Sequence, residues 1–206
     1  MQQAQIVVRP MTGLPVPLPQ LVVFDLDWTL WPRPRFRAGP PFLPIDEGRA
    51  GVRSSCGEEL DLFLGARRAL VQLADAEVPV ALASRTHRPK WALQWVDMIH
   101  VDDSRTLSDV IGKSPIIIRD GCKSSHVREI ARRTGVGFDS ILFFDDSYPD
   151  VVKVEGLGAT AVHCARSEGV TDELFAEGMR RYAEGLPSPR RQPQNVVGRR
   201  RLRRRS

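Results

Sequence analysis

Leu21-Val22-Val23-Phe24 is a continuous apolar run that stops abruptly on Asp25. A strand without polar alternation is buried on both faces, which is the condition of a parallel strand covered by helices above and below. The pattern recurs along the chain. Val78 to Ala83 closes on Ser84, Ile116-Ile117-Ile118 is a third run, Ser140 to Phe144 closes on Asp145-Asp146, and Ala159 to His163 is a fifth. Segments with helical spacing or helix-end signals separate them: within 60–77, around 88–96, 124–134 stopped by Gly135, around 149–155, and 171–184. Strands alternating with helices predict an α/β fold, a doubly wound three-layer parallel sheet. The 206 residues suffice for one such domain.

The ends of the chain read differently. Prolines at 10, 15, 17 and 19 bias residues 1–19 toward an extended or disordered arm. That arm lacks the apolar core of a secretory signal; it is free of acidic residues, as transit peptides are, but poor in Arg and Ser. Residues 187–206 carry eight arginines and no acidic residue, so residues 1–186 hold 22 basic against 25 acidic residues, a net charge of −3. The tail is expected to be disordered and either to attract polyanions weakly, to serve as a nuclear import signal, or to be a neutral extension. The domain itself is assigned to 20–186. Three cysteines at unrelated spacings point to a reducing, cytoplasmic setting rather than a disulfide framework. No apolar run approaches the ~20 residues that cross a bilayer, and a monomer without a membrane partner is expected.

The polar residues that stand out share one topological position. Asp25, Ser84 and Asp145 each end a buried strand, and Lys123 precedes a helix. Ligands of open α/β sheets bind at the carboxyl ends of the strands, so these four side chains should converge on one crevice. One such Asp is as readily a simple helix N-cap; several with complementary chemistry are not. In Asp25-Leu26-Asp27-Trp28-Thr29 the two carboxylates suit a division of labour, one attacking phosphorus and the other exchanging a proton with the leaving group.

Asp-x-Asp-x-Thr after a hydrophobic strand resembles motif I of the haloacid dehalogenase superfamily. Together, residues 23–31 (Val-Phe-Asp-Leu-Asp-Trp-Thr-Leu-Trp), 83–86 (Ala-Ser-Arg-Thr) and 143–146 (Phe-Phe-Asp-Asp) resemble its magnesium-dependent phosphatase 1 family, over residues 20 to 185. The resemblance implies Asp25 as nucleophile and Asp27 as general acid/base. It implies Ser84, Arg85 and Lys123 as substrate-phosphate ligands, and a Mg2+ site from Asp25, Asp27 through its main-chain carbonyl, Asp145 and Asp146. Trp28 departs from the Tyr usual in that family. The implied substrate is a phosphorylated small molecule or protein side chain, phosphotyrosine and sugar phosphates being the two classes in view. The gaps from Asp27 to Ser84 and from Ser84 to Lys123 leave no room for a cap domain, so a capless body, with at most a small flap from the irregular stretch 32–58, is expected.

Two rivals compete with this reading. One is a capless phosphoserine protein phosphatase of the carboxy-terminal-domain type, which Ala-Ser-Arg-Thr and the Leu30-Trp31 pair speak against. The other is a non-catalytic nucleic-acid-binding protein acting through its tail, against the intact set of Asp25, Asp27, Ser84, Lys123 and Asp145. Trp91 and Trp95 read as core or helix-cover residues, and His126 as either a phosphate-orienting group or a solvent-facing one.

Overall fold

A computed structural model describes residues 13–35, 37–45 and 50–185. In chain order the elements are β1 (Leu21–Phe24), three two-residue strands β2 (Leu43–Pro44), β3 (Val52–Arg53) and β4 (Glu59–Leu60), α1 (Leu64–Asp75), β5 (Val80–Ser84), α2 (Pro89–Met98), α3 (Leu107–Ile111), β6 (Ile116–Ile118), α4 (Lys123–Thr134), β7 (Ile141–Asp145), α5 (Tyr148–Glu155), β8 (Thr160–His163) and α6 (Asp172–Glu184). The five longer strands form one parallel sheet in the order β6-β5-β1-β7-β8. Strand β1 is central, with Val23 beside Ala81 on one side and Phe143 on the other.

The lack of polar alternation in the strands has the cause inferred from it: both faces are buried. Val22, Phe24, Val80, Leu82, Leu142 and Phe144 face a core completed by α1, α2, α3 and α6. Their neighbours Leu21, Val23, Ala81, Ala83, Ile141 and Phe143 face a second core completed by α4 and α5 through Val127, Ile130, Val151 and Val154. Three layers result. The crossing from β6 back to β7 reverses the direction of strand addition beside β1, and the carboxyl ends of β5, β1 and β7 border that switch point.

Some features leave no readable signal in the sequence. Strands β2, β3 and β4 make a small antiparallel sheet inside the stretch read as irregular; two residues are too few to show alternation. Helix α3 is a single turn and a half, although its cap is reciprocal: Asp109 N donates to Thr106 Oγ1, and Thr106 N donates to Asp109 Oδ2. Leu14 and Leu18 pack against the larger core, so ordered packing begins before residue 20. Residues 1–12 and the arginine tail lie outside the described residues.

Two glycines fix how the helices seat. A Cβ on Gly178 of α6 would lie 2.9 Å from Phe144 Cζ and 3.0 Å from Val162 Cγ2. A Cβ on Gly65 of α1 would lie 2.5 Å from the Val170 carbonyl oxygen and 2.7 Å from Thr171 Cα. Alanine gains about 1 kcal/mol of helix propensity over glycine, whereas overpacking costs about 1–3 kcal/mol. Gly178→Ala is therefore expected to be mildly destabilising, and Gly65→Ala, whose obstacle is backbone that cannot rotate aside, more so. Urea unfolding midpoints should fall in that order; a Gly65→Ala protein as stable as the parent would show that α1 is not seated against the 170–171 turn.

Candidate active site

Asp25 extends β1 by one residue, its N–H donating to the Phe144 carbonyl at 3.0 Å. The chain then folds back on itself, and the Leu26 carbonyl accepts from the N–H groups of Thr29, Leu30 and Trp31. This tight return requires Trp28 to adopt φ 67°, a left-handed conformation that is uncommon for a bulky side chain and tends to mark functional loops. The return also brings Trp31 under Asp27, so the indole Nε1 donates to Asp27 Oδ1 at 3.0 Å.

Lys123 opens α4, yet its side chain is buried. Its Nζ lies 2.5 Å from Asp25 Oδ1, 2.8 Å from Asp145 Oδ2 and 2.7 Å from the Ala83 carbonyl oxygen. An ammonium has three hydrogens, and here three acceptors surround it. Burial opposes the charge, but Asp25 and Asp145 together hold the ammonium's pKa above its ordinary value. The carboxylates are less well served. Burial pushes Asp25 up against the opposing pull of Lys123, and pushes Asp145 up to about 7. Asp27 is also raised, chiefly by burial, with the Trp31 bond opposing.

That excess of buried negative charge defines a place for a cation. Carboxylate oxygens of Asp25, Asp145 and Asp146 lie within 4.8 Å of one another. Asp145 Oδ1 accepts from Ser147 N at 2.7 Å, while Oδ2, despite its nearness to Lys123, receives no well-aligned hydrogen bond. Asp146 Oδ2 accepts from Arg166 Nε at 2.7 Å. An all-oxygen donor set of this kind suits a hard divalent cation such as Mg2+. The Asp27 carboxylate stands outside this cluster, turned to Trp31.

A cleft of about 440 Å³ opens over these groups, bordered by Asp25, Asp27, Ser84, Arg85, Lys123 and Asp146. Ser84 ends β5, and its Oγ accepts from Thr86 N at 3.2 Å. Arg85 is exposed to the cleft and donates from Nη2 to Asp150 Oδ2 at 2.5 Å; Asp150 is buried in the first turn of α5. Asp150 is a site residue the sequence reading missed. Its only signal was a carboxylate right after Pro149 in a helix's first turn, which equally suits the helix dipole. Arg33, Arg88 and Arg166 also border the cleft and were likewise not singled out. Trp31 and Trp95 are fully buried and Trp91 half-buried. His126 does not face solvent: it is completely buried beneath α4.

Residues 17–185 match the acid phosphatase family. Human magnesium-dependent phosphatase 1 is 30% identical over 175 residues, which are 84% of this chain and 93% of that protein. A HAD-like hydrolase superfamily protein of Schizosaccharomyces pombe is 31% identical over 147 residues, 70% of this chain and 85% of that one. Among solved structures, a HAD-superfamily hydrolase from Ehrlichia chaffeensis aligns with TM-score 0.53 at 13% identity, over 80% of this chain and 98% of its own, a likeness of fold alone. With the family matched from end to end of the described body, and a relative matched over nearly its whole length, the chain belongs to the acid phosphatases of the haloacid dehalogenase superfamily, alongside magnesium-dependent phosphatase 1.

Proposed function

We propose that this phosphatase hydrolyses phosphate monoesters through an aspartyl-phosphate on Asp25. The observation that carries the reading is the pairing of Asp25 with buried Lys123 at the floor of the cleft, with Asp27 on the same wall. A carboxylate oxygen of Asp25 attacks phosphorus, and the bond from phosphorus to the leaving oxygen breaks. Asp27 gives its proton to that oxygen; burial, which raises its pKa, favours the protonated form that this step needs. Asp27 then takes a proton from a water whose oxygen attacks phosphorus, releasing phosphate and regenerating Asp25. Lys123, the Ser84 hydroxyl and Arg85 hold the phosphoryl oxygens, with Asp150 setting the direction of Arg85. Asp25, the main-chain carbonyl of Asp27, Asp145 and Asp146 would hold Mg2+. When bound, the metal supplies positive charge that offsets the repulsion between carboxylate and phosphate.

The body between 20 and 186 is the catalytic unit, and the small sheet of β2, β3 and β4 acts as a flap beside an open cleft. Sugar phosphates and phosphotyrosine are the substrate classes such a cleft would accept. Neither the carboxy-terminal-domain type nor a non-catalytic role is favoured by the family match.

Replacing Asp25 by Asn should lower turnover of an aryl phosphate by more than a thousandfold, since an amide attacks phosphorus poorly. Asp27→Asn should also be nearly inactive but accumulate phosphoenzyme, detectable by intact-protein mass spectrometry after an acid quench. A tenth of parental activity in Asp25→Asn would remove it as the nucleophile.

Metal binding should be legible in stability. Asp145 moves from 3.8 toward about 7 on folding, so the folded state favours its protonated form. Without metal, this group costs stability as pH rises from about 4 to about 7. Mg2+ takes the ionised form, so the rise in Tm on adding Mg2+ should be larger at pH 8 than at pH 5.5, and Asp145→Ala should abolish most of the difference. Equal shifts at both pH values would place the metal elsewhere.

The eight arginines of 187–206 are read as a polyanion arm. A chain ending at Leu186 should keep its turnover of small esters and lose nucleic-acid binding, whose affinity in the full chain should fall steeply with salt. Undiminished binding by the truncated chain would end that reading.

A further inference from the structure

We propose that the Trp28 indole is a platform for the leaving group, so that the preferred substrate is a phosphomonoester whose alcohol carries a ring at or next to the ester oxygen. The inference deepens, and rests on, the phosphomonoesterase reading above. In that reading Asp27 protonates the leaving oxygen, which must then sit within hydrogen-bond reach of the Asp27 carboxylate. Trp28 is the next residue along the chain, and both residues border the cleft of about 440 Å³. Whatever is joined to the leaving oxygen therefore comes to lie beside residue 28.

Trp28 differs from the other aromatic residues nearby. Trp31, Trp95, Trp91 and Phe42 pack edge to face in one continuous wall. The Trp28 ring takes no part in it: half-buried, it stacks on no other ring and its Nε1 makes no hydrogen bond among the described residues. Its backbone, at φ 67°, would suit glycine without strain. Neither the turn nor the core therefore accounts for an indole at this position. The turn itself is tied down, with Trp28 N donating to the Trp31 carbonyl at 2.7 Å and the Trp31 indole donating to Asp27 Oδ1. An aromatic ring carried on a fixed backbone and left unstacked by its neighbours is a surface for another ring.

The indole also stands where the leaving group must go. With Arg33 and Pro34, Trp28 borders both the cleft and a neighbouring hollow of about 370 Å³. A leaving group running from the scissile phosphate toward that hollow passes over the indole. An aromatic ring offers it a flat apolar face, and the C–H bonds of a sugar ring do the same. A short acyclic alcohol offers little area to cover.

The test uses the full chain with Mg2+ and compares competitive inhibition by benzylphosphonate and ethylphosphonate, which carry the same anion and have no ester bond to cleave. Benzylphosphonate should bind at least about tenfold more tightly, the scale of one stacking contact with the area it covers. Trp28→Gly and Trp28→Asn, both compatible with φ 67°, should bring the ratio of the two inhibition constants toward 1, whereas Trp28→Phe should keep most of it. In turnover, the ratio of kcat/KM for phenyl phosphate over glycerol 3-phosphate should fall about tenfold in Trp28→Gly, mainly through KM. Setting each ratio against the parent's cancels the difference in leaving-group acidity. A fall shared by glucose 1-phosphate assigns the platform to rings in general, and one confined to phenyl phosphate assigns it to aryl esters. Equal inhibition constants in the parent, or a benzyl preference that Trp28→Gly and Trp28→Asn both retain, overturns the platform and leaves the phosphatase reading intact. No turnover of any ester overturns both.

Discussion

Everything at the site hangs on one buried ammonium. Lys123 draws together the ends of three neighbouring strands: Asp25 after β1, the Ala83 carbonyl in β5 and Asp145 at the end of β7. Removing one partner from a buried ion pair costs about 3–5 kcal/mol, because the charge left behind has no solvent. The triad is therefore both a site and a clamp across the switch point of the sheet. It also carries a built-in conflict. Its ammonium is already ringed by three acceptors, so a phosphoryl oxygen that contacts Lys123 must share it with them. In the proposed mechanism, substrate and the internal ion pairs compete for the same donor, and a carboxylate that yields becomes available as nucleophile or metal ligand.

The arithmetic of charge explains why such a centre needs help from outside the protein. Asp25, Asp145 and Asp146 gather around one ammonium. Arg166 answers Asp146 from the rim, but burial raises Asp25 and Asp145 all the same. A cluster that is unfavourable when empty and ionised is one that welcomes a divalent cation.

Most of the sheet was legible because central parallel strands must be apolar throughout, and the residue that ends such a run must meet the crevice. Leu21–Phe24 with Asp25, and Ile141–Phe144 with Asp145, show that logic directly. Lys123 was legible as a helix-opening cation, but not its burial, since a lysine at a helix start ordinarily faces water. Asp150 could not be found for the opposite reason: a carboxylate in a first helical turn has an adequate local explanation, and only tertiary contact gives it Arg85. The strands β2, β3 and β4 were invisible because pairs of residues carry no period. His126 is ambiguous in sequence because its place one turn after Lys123 says nothing of which side of α4 is covered; its burial removes only the solvent-facing alternative.

The aromatic wall has an optical consequence. Trp31 and Trp95 stand 6.1 Å apart at 86°, and Trp91 and Trp95 stand 6.3 Å apart at 65°. Indoles this close couple their excited states, so circular dichroism in the aromatic bands is sensitive to how these rings are arranged. One end of the chain of rings is hydrogen-bonded to Asp27 and the other supports Arg88. The cleft is thus bracketed by a natural chromophore, and its geometry can be followed by light without any label.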